Sequence, residues 1–431
     1  MNSTKQNYIL PIIMMIILFG MIAFVTNLAA PMGVVLKNQF GVSNAMGLLG
    51  NMANFIAYAV MGIPGGILLQ RVGYKKTALI AIAIGFLGIF IQFLSGHTGD
   101  SSAFVVYLLG AFVAGFSMTL LNTVVNPMLN TLGGGGNKGN QLIQVAGSFN
   151  SLLATFTPAF VGILIGEAAK ATITDVFPVM YIAMGVFALV FFVLWAVSIP
   201  EPHAERSSEP LGNLISGALK FRHFILGAIG IFVYVGVEVG TPATMNLWLS
   251  DASASSVGAT TAGFVVGTYW FLMLIGRLLG ASIGSKVSSR TMLMVASSVA
   301  LVFVMLAIVS STTSMVSLPV LQKSDAGALS FGLAQVPINA MFLVLVGLCT
   351  SIMWGGIYNL AVEGIGKYLA AASGLFMVMV CGGGIIPAVQ GWVADIAGYM
   401  TSYWVILAGF AYLLYYALIG SKNINKNIPV E

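Results

Sequence analysis

Long apolar segments recur along this chain, each close to or above the roughly 20 residues needed to cross the hydrocarbon of a bilayer. They fall near residues 8–33, 44–69, 77–94, 103–129, 141–165, 177–199, 224–249, 257–283, 291–310, 336–362, 369–392 and 402–419. Inside a bilayer every backbone N–H and C=O must find its partner within the protein, so runs of this length fold as helices. The expected fold is an all-α membrane protein with twelve transmembrane helices, the lipid bilayer being its first partner. Composition agrees: with 58% hydrophobic and 7% charged residues over 431 positions, there is too little charge to coat a soluble globule.

Orientation follows from the basic residues. With the N-terminus inside, 13 of the 17 Lys and Arg fall in cytoplasmic segments and three in outer loops, while Arg277 lies within the eighth segment near its inner end. That asymmetry satisfies the positive-inside rule and places both termini in the cytoplasm. The formal charge of +5 therefore reflects topology, and no nucleic-acid partner is expected.

The longest hydrophilic cytoplasmic connection, 200–223, divides the chain into an N-terminal six-helix half, 1–199, and a C-terminal one, 224–431. Internal repetition supports the division. Gly66 through Arg71, Gly73, Lys75 and Lys76 follow the second segment, and Gly280 through Lys286 and Arg290 follow the eighth, an offset of 214. Pro158-Ala159-Phe160-Val161-Gly162 and Pro387-Ala388-Val389-Gln390-Gly391 lie 229 apart, the difference being absorbed by a long outer connection at 311–335. Two pseudo-symmetric halves joined by a loop are the parallel repeat of a rocking transporter, whose site lies at the repeat interface near the midplane.

At these residues the chain resembles the major facilitator superfamily. Gly66, Arg71, Gly73, Lys75 and Lys76 match that superfamily's loop signature, with Gln70 in place of its acid and Tyr74 in place of one base. Within it, the chain is similar to the fucose–proton symporter and glucose/galactose transporter family. The similarity rests on Thr123-Val124-Val125-Asn126-Pro127, Leu132-Gly133, Phe149-Asn150-Ser151, Tyr234-Val235-Gly236-Val237-Glu238-Val239 and Gly382-Gly383-Gly384-Ile385-Ile386-Pro387. The fucose symporters carry an acid in the first segment and another in the fourth; here Asn122 stands at the second place and Ala30 or a neighbour at the first. The resemblance therefore implies sugar transport without handing over that two-acid coupling scheme.

Read without the family, the segments still point to a polyhydroxylated neutral ligand. Asn27, Asn122, Asn126, Gln144, Asn150 and Asn359 sit at membrane depth, each amide offering a donor and an acceptor to a hydroxyl. Asn122 and Asn126 are four apart and share a helix face. Trp270 and Trp354, near the centres of their segments, offer flat apolar faces to the C–H side of a pyranose. About half of such amides serve as interhelical glue instead.

Glu238 is the one carboxylate of twelve near the middle of an apolar segment. A charge there costs about 2.5 to 3.5 kcal/mol, so an acid kept at mid-membrane marks an ion or substrate pathway. Counted from Phe224 it lies about 14 residues in, or roughly 21 Å, while Arg277 is expected to sit too near the inner end to pair with it. An acid that is neutral when occluded and ionised when open to water is a usable proton carrier. Pro242, four residues on, frees a backbone carbonyl and kinks the helix on its outer side. With Gly66, Arg71, Gly73 and Lys75 it makes up the expected gating set.

No acid, base, nucleophile and metal-ligand cluster shares one depth, so no catalytic residue, metal or cofactor is expected. The reading is a secondary transporter importing a neutral hexose or deoxyhexose across a bacterial-type inner membrane by alternating access, with proton symport as the coupling. Sodium coupling, uncoupled facilitation, and a transporter-fold sensor or structural protein are the alternatives.

Overall fold

The computed structural model describes residues 8–41, 49–165, 171–201, 211–251, 253–255, 257–323, 329–425 and 427–430. The first half contains α1 (Ile9–Phe40), α2 (Leu49–Val72), α3 (Tyr74–Ser95), α4 (Asp100–Leu132), α5 (Gly136–Ile165) and α6 (Phe177–Ala196). A short α7 (Leu211–Ala218) lies in the connection, followed by α8 (Arg222–Ser250), α9 (Ala259–Ile283) and α10 (Ser289–Val309). Beyond them come α11 (Ile338–Thr350), α12 (Met353–Ala361), α13 (Leu369–Val378), α14 (Gly382–Ala397) and α15 (Tyr399–Tyr415).

Among the described residues, 11 helical stretches are long and apolar enough to cross a membrane, α11 with α12 and α13 with α14 each counting as one. The 30-residue α5 packs against α1 and α9 as a further long helix. Leu109 on α4, Leu189, Phe192 and Trp195 on α6, and Val302 and Val309 on α10 are exposed. Apolar surface on this scale is the surface of a protein whose solvent is lipid. At several close helix contacts, small residues meet. A Cβ on Gly88 of α3 would lie 2.5 Å from the Ala114 nitrogen of α4. One on Gly374 of α13 would lie 2.8 Å from the Cα of Gly66 in α2, so Gly66 sits at a tight contact between the two halves.

Two expected single helices are interrupted. The segment at 336–362 begins as the end of a strand and breaks between α11 and α12, while the segment at 369–392 carries a 3-10 turn, Met379–Cys381, between α13 and α14. The outer connection is also more ordered than a loop: β1 (Met315–Lys323) and β2 (Leu329–Pro337) pair antiparallel, with Val316 opposite Val336 and Leu318 opposite Ala334. Leu318, Val320, Ala334 and Val336 form its buried face, as the two-residue period of a strand dictates.

The turn between α2 and α3 is built as its glycine foretold. Gly73 adopts φ 84°, ψ 176°, a conformation that essentially only glycine accepts. The amides of Tyr74 and Lys75, at the start of α3, donate to the carboxylate of Glu201 at 2.8 and 3.1 Å. A helix N-terminus offers unpaired donors and partial positive charge, so a carboxylate is its natural cap. The Lys75 ammonium donates to the Trp195 carbonyl at 2.8 Å, tying the end of α6 to this turn. Gln70 left the loop without its signature acid, and Glu201 brings one from the start of the connection between the halves. Arg71 points outward and is exposed.

Candidate functional site

The break in the tenth span sits at the centre of the site. The Ser351 carbonyl accepts from Arg277 Nε at 3.3 Å, and the Ile352 carbonyl accepts from Gln144 Nε2 at 2.9 Å. Irregular backbone at membrane depth persists only where its polar groups are met by protein or by cavity water. Here one of these side chains comes from the same half, on α9, and the other from the opposite half, on α5.

Glu238 lies beside this break. Pro242 has no N–H to offer the Glu238 carbonyl one turn back, and the Tyr269 hydroxyl donates to that carbonyl at 3.2 Å. The same hydroxyl is 3.1 Å from that of Thr350, the last residue of α11. The Glu238 carboxylate accepts from the Tyr234 hydroxyl at 2.8 Å, one turn away on its own helix.

Arg277 does pair with Glu238, contrary to the depth argument. Its Nη2 lies 3.5 Å from Glu238 Oε1, with side-chain exposures of 11% and 14%. A residue count measures the depth of the Cα, whereas the long arginine stem carries its charge several bonds away. The other guanidinium nitrogen crosses between halves: Nη1 donates to the Gly147 carbonyl at 2.9 Å and to Asn150 Oδ1 at 3.2 Å. Asn150 in turn donates to the Phe19 carbonyl of α1 at 2.7 Å.

A second chain of bonds runs through the amides. Trp354 Nε1 donates to Asn126 Oδ1 at 2.9 Å, Asn126 Nδ2 donates to the carbonyl of Asn122 at 2.9 Å, and Asn122 Nδ2 donates to the Tyr58 hydroxyl at 2.6 Å. The Trp354 ring lies 6.2 Å from that of Tyr234 and 6.4 Å from that of Phe376, centroid to centroid. The phenol that holds Glu238 therefore also touches the indole that reaches the opposite half.

The remaining expected residues are more scattered. Asn27 is half-buried and spends its Nδ2 on the Ala23 carbonyl at 2.8 Å. Trp270 is half-buried and edge-on to Tyr269 at 5.3 Å. Asn359 is not with the central group: it lies near the connection end of the bundle, bonded to Asn130 and Ser289. Its place in the sequence, at the last turn of α12, was the signal for this.

Tyr58, Tyr234, Tyr269 and Arg277 were not singled out as site residues. Tyr234 alone left a local trace, its four-residue spacing from Glu238. Among the described residues no group of three or more His, Cys, Asp or Glu could hold a metal ion.

Comparison with known proteins agrees with this architecture. Over 433 residues the chain is 28% identical to the glucose/galactose transporter of Brucella abortus, covering 98% of this chain and 97% of that protein. It is 27% identical to a putative glucose/galactose transporter of Helicobacter pylori, covering 94% and 95%. Against the L-fucose-proton symporter of Escherichia coli the identity is 21%, covering 91% and 89%. The crystal structure of the Escherichia coli fucose:proton symporter superimposes with a TM-score of 0.79 at 18% identity, covering 97% of this chain and 100% of that one. The structure of a proton:xylose symporter superimposes with a TM-score of 0.64 at 12% identity, covering 93% of this chain and 94% of that one. The fold is thus twelve spans in two pseudo-symmetric six-helix halves. A family model described as Major Facilitator Superfamily matches residues 12–387, and the chain belongs to that superfamily as a multi-pass membrane protein.

Proposed function

We propose that this protein is a secondary active transporter that imports a neutral hexose or deoxyhexose with a proton, by alternating access across a bacterial inner membrane. Its relatives named for glucose, galactose and fucose supply the substrate class. The observation that carries the coupling is the shared guanidinium: Arg277 holds the Glu238 carboxylate and, across the gap between halves, Gly147 and Asn150. An ionised Glu238 attracts Arg277, and a neutral one lets it go, so a proton on this carboxylate changes a bond between the halves. The arginine also favours a proton over sodium, since a metal cation at Glu238 would meet a fixed positive charge at close range.

Residues 1–199 and 224–431 are proposed as the moving halves, with 200–223 as their cytoplasmic connection and both termini inside. Hydrogen bonds between the halves run from mid-bundle to the connection end, through Trp354–Asn126, Gln144–Ile352, Gln141–Ala281 and Asn130–Asn359. This conformer is therefore read as closed toward the cytoplasm. Asn27, Asn150, Trp270 and Trp354, all half-buried, are the proposed sugar contacts. Asn122, Asn126 and Gln144 are buried and hydrogen-bonded within the protein, and support those contacts. Gly66, Arg71, Gly73, Lys75 and Pro242 are the proposed gating elements. Uptake of labelled sugars into proteoliposomes, with no gradient, a pH gradient or a sodium gradient, tests the reading. Accumulation driven by sodium alone, or no movement of any sugar, would reject it.

A further inference from the structure

Asn130 and Asn359 occupy equivalent places in the two repeats. They are 229 residues apart, the offset that relates Pro158 to Pro387. Five residues beyond each comes a glycine with nearly the same left-handed backbone, Gly135 at φ 70° and Gly364 at φ 72°. The two asparagines meet each other: Asn130 Nδ2 donates to Asn359 Oδ1 at 2.8 Å, both residues being buried. Asn359 then donates to Ser289 Oγ at 2.9 Å, which anchors it to the start of α10. On the other side, a Cβ on Gly139 would lie 2.8 Å from the Asn130 carbonyl and 2.9 Å from its Nδ2, so the start of α5 holds Asn130 in place.

On the connection side of this pair lies a cavity of about 410 Å³, lined among others by Asn137, Ser288, Arg290 and Glu363. On the opposite side, one turn back along α4 and five residues back along α12, stands the Asn126–Trp354 bond. We propose, building on the transport reading, that Asn130 and Asn359 form the inner gate latch: an uncharged hydrogen bond between repeat-related residues that must break before sugar passes from Trp354 into the cavity. Each half contributes the same residue at the same place, so a symmetric rocking motion separates the two amides without leaving a buried charge behind. In the open state both amides face water and both regain partners there, which keeps the cost of opening low.

The test uses the whole chain with Cys349 and Cys381 replaced and a single reporter, Ile352→Cys, at the break seven residues before Asn359, where the side chain is half-buried against Gly280 of α9. Inside-out vesicles are treated with a membrane-impermeant maleimide, and sugar counterflow is measured in the same vesicles. Asn130→Ala and Asn359→Ala should each raise the labelling rate about two- to tenfold, the range expected for loss of one neutral hydrogen bond. The double variant should go no further than the larger single one. Gly139→Ala presses on the Asn130 carbonyl and Nδ2 while leaving both asparagines in the chain, and gives a second route to the same opening. Unchanged labelling in both alanine variants and in Gly139→Ala, in a parent that exchanges sugar, overturns the latch. A parent that exchanges no sugar overturns the transport reading instead.

Discussion

Arg277 stands 3.5 Å from the carboxylate of Glu238 and donates as well to the Ser351, Gly147 and Asn150 oxygens. One side chain thus joins the acid, the broken tenth span and the opposite half. Glu238→Gln keeps the shape and the Tyr234 contact but cannot take up and release a proton. It should abolish sugar accumulation on a pH gradient and leave sugar exchange between equal concentrations intact. Concentrative uptake by this variant, measured in proteoliposomes, would remove the coupling role.

Replacing Arg277 tests the other partner. Arg277→Ala strands Glu238 beside a single phenol, and breaking a buried pair from one side costs about 3 to 5 kcal/mol, less where water reaches it. Arg277→Lys restores a charge but not the fork that serves four acceptors. Both should lower the melting temperature of the purified protein, with Ala below Lys. Adding Glu238→Gln to Arg277→Ala should recover part of the loss, because no unpaired charge then remains. Additive losses in the double variant would mean that the pair is not coupled.

What could be read ahead of the structure was what depends on neighbours in the chain. The apolar runs gave the spans, Gly73 the turn, and Pro242 the freed carbonyl at Glu238, because each rule acts within a few residues. The Ser351–Ile352 break could not be read this way, since the groups that satisfy its carbonyls, Arg277 and Gln144, lie 74 and 208 residues away. Arg277 was misplaced for a related reason: depth along a helix says where the stem begins, not where the guanidinium ends. The hairpin did leave a trace in the alternation of Val316, Leu318 and Val320, but Pro319 between them speaks against a central strand. As β1 has only β2 beside it, an edge position makes the proline tolerable.

Trp354 offers two separable features, an indole N–H bonded to Asn126 and a ring beside Tyr234. Trp354→Phe removes the donor and leaves the buried Asn126 oxygen unpaired, at about 1 to 3 kcal/mol. Trp354→Ala removes the face as well. If the ring is a sugar platform, the Phe variant should bind sugar within about threefold of the parent and the Ala variant at least about tenfold more weakly, a loss of 1.4 kcal/mol. Equal losses by titration calorimetry would assign the residue to the bond between the halves alone.

Gly73 and Glu201 form a unit whose parts are distinguishable. A methyl at Gly73 would lie 2.7 Å from the Glu201 carboxylate, and the backbone there, at φ 84°, is strained for any other residue. Gly73→Ala should therefore destabilise the protein by about 1 to 3 kcal/mol. Glu201→Ala leaves the amides of Tyr74 and Lys75 uncapped, worth about 0.5 to 2 kcal/mol for a helix cap. The double variant should lose less than the two together, because removing the carboxylate makes room for the methyl. Arg71 is exposed beside this turn, so Arg71→Ala should leave the melting temperature within about 1 °C, an exposed charge being worth little to the resting fold. A slower turnover in Arg71→Ala at unchanged sugar affinity then places the arginine in the moving states, whereas an unchanged turnover number removes it from the gate.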